Sequence, residues 1–212
     1  MLIYAVADIH GKKSRLTKIE RHVAAHQPDV LVIAGDLSNY IRPDRVLARL
    51  NALPLPVLVI RGNTDLKRVQ ARFQSYPNLK PLNLRPVIIS QIPFAGLSGT
   101  IPVPFRSRIR FKEKTLFEQA ANLVTKQTVL VAHPPPYGFL DEVAGRFHAG
   151  SRKLYNLVVR TQPALVLCGH IHERPGVAPI GPSLVVNCSV ARGSSGALIA
   201  IQPGKTPAVT LL

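Results

Sequence analysis

Leu2-Ile3-Tyr4-Ala5-Val6-Ala7-Asp8-Ile9-His10 is the stretch on which the fold turns. A near-continuous apolar run stops at an aspartate, without the alternation of a strand that has one wet face. Such runs belong to strands covered on both sides. The pattern returns at residues 30–34, closed by Gly35-Asp36, and at 57–60, closed by Arg61-Gly62-Asn63-Thr64-Asp65. It returns again at 128–132, closed by His133-Pro134-Pro135-Pro136, and at 164–168, closed by Gly169-His170-Ile171-His172. Three successive prolines cannot continue a central strand, so the chain beyond His133 is a stiff loop over the sheet edge.

Between these strands the period changes to that of a helix. Leu16, Ile19 and Val23 share a face within 14–26, and Val46, Leu47 and Leu50 within 42–51. Helices are also expected at 67–73, 113–125 and 151–161, with strands at 87–90 and 95–98 forming a hairpin or neighbours about Pro93. Residues 99–114 read as a basic loop or edge strand carrying Arg106, Arg108, Arg110, Lys112 and Lys114. Short strands at 176–180, 183–187, 197–201 and 208–211, separated by Gly/Pro turns, complete the chain. The expectation is an α/β fold: two packed sheets flanked by helices in a single domain, 1–212. Open α/β sheets bind ligands at the carboxyl ends of their strands, where the polar groups sit here.

The chain has 212 residues, 46% of them hydrophobic, enough for a substantial core. Its start lacks a basic n-region and reads as a strand rather than a signal peptide, and no run approaches the roughly 20 apolar residues of a membrane span. Cys168 and Cys188 lie in apolar segments, and two buried thiols of a cytoplasmic protein are expected. Lys and Arg number 27 against 11 Asp and Glu, a net charge of +16. That field favours anionic partners (phosphate esters, nucleotides, nucleic acid or anionic lipid surfaces) and does not choose among them. It also opposes close self-association, and the oligomeric state is left open.

Asp8, His10, Asp36, Asn63, His133, His170 and His172 together make a mixed oxygen and nitrogen donor set. A carboxylate such as Asp36 can bridge two cations, and an amide oxygen such as Asn63 suits a site where an anion already supplies charge. If the backbone stays extended past the first strand, Asp8 and His10 fall on one face and reach one cation. The mix suits manganese best, with iron, zinc, cobalt or nickel as alternatives, and does not suit calcium. Two such cations activate water and neutralise phosphate oxygens. His22 and His26, an i,i+4 pair, read as surface residues. His148, in the Gly-rich loop Gly145-Arg146-Phe147-His148-Ala149-Gly150, is left undecided between a plain loop residue and one that overhangs the site.

These D-x-H, G-D, G-N-x-[DE], H and G-H-x-H blocks, in this order over residues 8–172, resemble the calcineurin-like metallophosphoesterase family, in particular its small microbial phosphodiesterase-like members. The resemblance implies a four-layer α/β/β/α sandwich with two mixed sheets and a dinuclear centre. It assigns Asp8, His10, Asp36 and His172 to one cation, and Asp36, Asn63, His133 and His170 to the other. The activity it implies is phosphoester hydrolysis by a metal-bridging hydroxide. Where many members have a histidine acid after the asparagine, this chain has Thr64, which is no acid near neutral pH, and Asp65 is expected to orient a ligand or loop. Losing a general acid forfeits about 10²–10⁴-fold, so diesters and activated esters are the expected substrates. A nuclease and a noncatalytic scaffold are the competing readings. Asn187-Cys188-Ser189 departs from the family's usual closing Asn-Pro-Gly-Ser. Arg61, Arg192, His148 and Asn63 are the expected substrate contacts.

Overall fold

The apolar run of β1 (Leu2–Val6) is two faces interleaved. Ile3, Ala5 and Ala7 join one buried cluster, whereas Tyr4 and Val6 join another with Leu16, Ile19 and Val23 of α1 (Lys13–His26). Successive side chains of a strand point to opposite faces, so an uninterrupted apolar strand needs a partner layer on each. The computed structural model describes residues 1–39, 43–84, 86–98 and 109–212, and of residues 109–114 the backbone alone.

The chain continues through β2 (Val30–Ile33), α2 (Pro43–Asn51), β3 (Val57–Val59), α3 (Lys67–Arg72) and β4 (Leu79–Pro81). The second half adds β5 (Val87–Ile89), β6 (Ile92–Leu97), α4 (Ile109–Leu123), β7 (Val129–Ala132), β8 (Glu142–Val143), β9 (Phe147–His148) and α5 (Arg152–Thr161). It ends with β10 (Leu165–Cys168), β11 (Gly176–Ile180), β12 (Ser183–Asn187), β13 (Ala197–Ala200) and β14 (Ala208–Leu211). One six-stranded sheet has the order β14-β13-β1-β2-β3-β4 and the other β11-β12-β10-β7-β6-β5. Both are mixed: parallel centres carry antiparallel strands at β13, β14, β5 and β11.

Three apolar clusters define four layers. Ala5, Val32 and Leu58 of the first sheet meet Val131, Leu167 and Val186 of the second. The first sheet's outer face packs on α1, α2 and α3, and the second's on α4 and α5 through Phe117, Ala120, Leu154 and Val158. The expected α/β/β/α sandwich is therefore observed. Helices α1 and α5 both end at a glutamine before proline: Gln27 and Gln162 adopt φ of 46° and 50° and return their N–H groups to Val23 and Val158. Proline then prevents continuation of the helix. The Ser151 hydroxyl caps α5 by accepting from the Leu154 N–H at 3.1 Å.

Several boundaries differ from expectation. Helix α4 begins at Ile109 rather than 113, so residues 109–114 are helical and not loop or edge strand. The basic positions Arg106 and Arg108 lie outside the described residues. The β5–β6 hairpin turns at Ser90-Gln91, both in the left-handed region, with Pro93 inside β6. Strands β4, β8 and β9 have no apolar run long enough to announce them. Both cysteines are buried and free, as expected.

The sheets are stitched together at the edge that bears the motifs. The Ala7 N–H donates to the Cys188 carbonyl at 3.0 Å, and the Val190 N–H donates back to Ala7 at 3.0 Å. Gly96 permits a second close approach, since a Cβ there would lie 2.4 Å from Leu82 Cβ and 2.5 Å from the Leu82 carbonyl oxygen. Gly96→Ala is expected to lower stability by about 1–3 kcal/mol, a Tm fall of roughly 2–4 °C per kcal/mol. An unchanged thermal unfolding curve would show that these layers yield freely at this point.

Candidate metal centre

Asp8 and His10 follow β1, Asp36 follows β2, and Asn63 follows β3, all in the first sheet; His133 follows β7 and His170 and His172 follow β10 in the second. The inter-sheet stitch at Ala7 places these two sets face to face. The backbone at Asp8, His10, Asp36 and His170 is not extended: φ is 62°, 51°, 54° and 68°. The expected extended path beyond β1 is thus corrected, since a left-handed turn rather than strand alternation aims Asp8 and His10. Non-glycine residues in this region cost of order 1–3 kcal/mol each and persist where their surroundings hold them. Here four donor residues share that strain.

Backbone crowding fixes the residues beside them. A Cβ at Gly62 would lie 2.2 Å from Asp36 Oδ1, so only glycine lets the Asn63 loop close over that carboxylate. Asp65 anchors the same loop. Its buried carboxylate accepts from the N–H groups of Leu37, Ser38 and Gly62 at 3.1, 2.8 and 3.1 Å, and from the Ser38 hydroxyl at 2.9 Å. It therefore joins the β2 and β3 loops instead of facing the site.

The donor atoms converge in two groups. Around Asp8, His172 Nε2 lies 3.5 Å from Asp8 Oδ1 and 3.3 Å from His10 Nε2. Around Asn63, its Oδ1 lies 2.8 Å from His133 Nε2 and 3.0 Å from His170 Nδ1. Asp36 stands between them, with Oδ2 3.7 Å from His10 Nε2 and 3.4 Å from His133 Nε2. By mutual approach of their ligand atoms within 4.8 Å, Asp8, His10 and His172 form one candidate triad and Asp8, Asp36 and His133 another. Ligand atoms each about 2.1 Å from a shared cation lie roughly 3.0–3.4 Å apart, and the separations here, from 2.8 to 3.7 Å, bracket that range. The carbonyl of Ala34, 2.8 Å from His133 Nδ1, accepts that nitrogen's proton and turns Nε2 toward the pocket.

Charge supports the same arrangement. Burial pushes the Asp36 carboxyl up, but the bond and charge of His133 and the Thr64 N–H outweigh it and hold the group at about 2. Burial pushes the His133 imidazolium down, yet Asp36 and Asp8 raise it to about 9, so without a cation His133 carries the proton and faces the Asp36 carboxylate as an ion pair. Burial lowers His10 and His170, against the opposing pull of Asp36 and Asp8, and favours neutral rings with free lone pairs. Asp8 is held below its usual range despite burial, by His172, His133 and Ser189.

The remaining expected contacts are each tied to partners other than these donors. The Arg61 Nη1 donates to the Asp65 carbonyl at 3.1 Å, and its buried Nε has no partner among the described residues. Arg192 forms an exposed ion pair with Glu173 at 2.8 Å. His148 sits on the β8–β9 hairpin with Nδ1 2.7 Å from Asp141 Oδ1. Outside that hairpin Ser151 makes an isolated parallel bridge with Pro136, three residues past His133. His22 and His26 stack on α1, with ring centroids 5.6 Å apart. Asn187, of the closing segment Asn187-Cys188-Ser189, also shapes the site: its Nδ2 donates to the Ile171 carbonyl at 2.8 Å and pins the turn between His170 and His172. The Arg15 guanidinium donates to the Asp8 carbonyl.

Comparison with known proteins places this geometry in a family. The chain is 29% identical over 200 residues to an uncharacterized protein of Methanocaldococcus jannaschii, covering 89% of this chain and 88% of the relative. It is 45% identical over 194 residues to human metallophosphoesterase domain-containing protein 1, covering 76% of this chain but 60% of that longer protein. A solved structure of an archaeal phosphodiesterase shares the fold with a TM-score of 0.54 at 14% identity, each chain covered fully (100%). The model of the calcineurin-like phosphoesterase family matches residues 1–174. The chain therefore belongs to the calcineurin-like phosphoesterase family, whose members' chemistry is metal-dependent phosphoester hydrolysis.

Proposed function

We propose that this protein is a phosphodiesterase that uses two divalent cations, manganese favoured, to hydrolyse phosphodiesters or activated phosphate esters. The observation that carries the reading is the pairing of a full donor set with Thr64 at the position where many members have an acid. When bound, such cations would lower the pKa of a water and offset the charge on phosphate oxygens. The residues supply the rest. Asp8, His10, Asp36 and His172 would hold one cation, and Asp36, Asn63, His133 and His170 the other, with Asp36 serving both. Asn63 adds no charge, which leaves the site positive enough to accept an anionic ester.

Arg61, Arg192 and His148 are proposed substrate contacts. Arg61 has a buried Nε free among the described residues beside the Asn63 loop. Among the described residues Arg192 is held by an exposed carboxylate, a weak tie that a phosphate could replace. Asp141 fixes His148 Nδ1 and leaves Nε2 as the nitrogen that could meet a phosphate. Thr64 offers no proton to a departing alkoxide, so good leaving groups suit the site. The archaeal neighbour's description as a phosphodiesterase points the same way. We propose the substrate as a small phosphate-containing anion and the location as cytoplasmic; no helix among the described residues is long and apolar enough to cross a membrane.

Purified protein with manganese is expected to hydrolyse bis(p-nitrophenyl) phosphate, and Asn63→Ala or His133→Ala to reduce turnover to background. Full activity of either variant at saturating manganese would sink the assignment. The net charge of +16 favours one second reading, a nuclease. It requires salt-sensitive binding of DNA or RNA together with metal-dependent cleavage. Absence of binding at low ionic strength removes it.

A further inference from the structure

We infer that Thr64 is a positioning residue that sets the tautomer of His10 and, through it, the geometry of one cation position. The inference rests on the metal-site part of the reading above and is independent of the substrate.

The argument follows a single proton. The Thr64 hydroxyl lies 2.7 Å from the Ser38 carbonyl oxygen. A carbonyl only accepts, so the hydroxyl's one hydrogen is committed there. The same oxygen lies 3.4 Å from His10 Nδ1 and has only lone pairs left to offer. This contact is favourable when Nδ1 carries the proton and donates it. His10 Nε2 is then bare, and it is the nitrogen that faces His172 Nε2 at 3.3 Å and Asp36 Oδ2 at 3.7 Å. The opposite tautomer would set lone pair against lone pair at Thr64 and put a hydrogen in the space a cation needs.

Thr64 acts on Asp36 as well. Its backbone N–H donates to Asp36 Oδ1 at 2.8 Å, which leaves Oδ2 as the oxygen directed at His10 and His133. The support beneath it is rigid: Ser38, whose carbonyl takes the Thr64 proton, is itself held through its N–H and hydroxyl by Asp65. Thr64 is buried, and its β-branched side chain has few rotamers to choose from. A continuous chain thus runs from Asp65 through Ser38 and Thr64 to His10. The hydroxyl proton points into the protein rather than toward a leaving group, which gives Thr64 a task distinct from that of an acid.

Thr64→Val keeps the shape and the backbone N–H while deleting the hydroxyl, and Thr64→Ser restores it. Long-range proton–nitrogen NMR of the cation-free protein is expected to show His10 protonated at Nδ1 in the wild type and Thr64→Ser. In Thr64→Val it should shift toward Nε2. Manganese titration is expected to show one of two affinities weakened about 10–100-fold in Thr64→Val, and returned to within a few-fold in Thr64→Ser. Unchanged tautomer and unchanged affinities in Thr64→Val overturn the inference. A wild type that binds no manganese defeats the metal-site reading, while the NMR comparison still decides the role of Thr64. Thr64→Ala gives the same test if the valine variant fails to fold.

Discussion

The joining of the two sheets at Ala7 is the constraint on which this structure depends. β1 belongs to the first sheet, yet its end exchanges hydrogen bonds with Cys188 and Val190, in the extension of β12 from the second. Without that stitch Asp8 would end one sheet and His170 another, with no reason to meet. With it, the His170 N–H donates to both oxygens of Asp8, at 3.2 and 3.1 Å. The donor set is assembled by sheet packing, and each loop needs to travel only a few residues to reach it.

Such a centre is costly to the fold. Two buried carboxylates and four imidazoles occupy one edge, and four of these six residues have left-handed backbone. Partial neutralisation comes from the His133 imidazolium beside Asp36, and from N–H groups donated by Thr64 and His170. A purely structural role would be met by apolar or hydrogen-bonded neutral groups, which need neither the strain nor the desolvation. This argues against the scaffold reading more strongly than the count of donors does.

Much of this was legible in the residues themselves. Apolar runs that stop at Asp8, Gly35, Gly62, His133 and Gly169 identified buried strands and their functional ends, because buried parallel strands cannot tolerate polar side chains until they leave the core. What was not legible arises from tertiary contact. β4 reads Leu-Lys-Pro, a strand by virtue of pairing with β3 and not of composition. The left-handed turns at Asp8 and His10 are invisible to periodicity, which assumed an extended path. Ser38 carries no motif signal, and its role depends on the Asp65 carboxylate and the Thr64 hydroxyl that the fold brings near. Helix α4 starts earlier than expected because its first turn, Ile-Arg-Phe-Lys, alternates apolar and basic residues rather than following a helical period.

The central claim is that the two groups of donors hold two cations that share Asp36. Electron paramagnetic resonance of the metal-free protein titrated with manganese tests it directly. Two equivalents should produce the multiline spectrum of an exchange-coupled manganese pair, which requires a separation near 3.5–4 Å. A spectrum of isolated manganese alone, saturating at one equivalent, would contradict the shared-carboxylate centre.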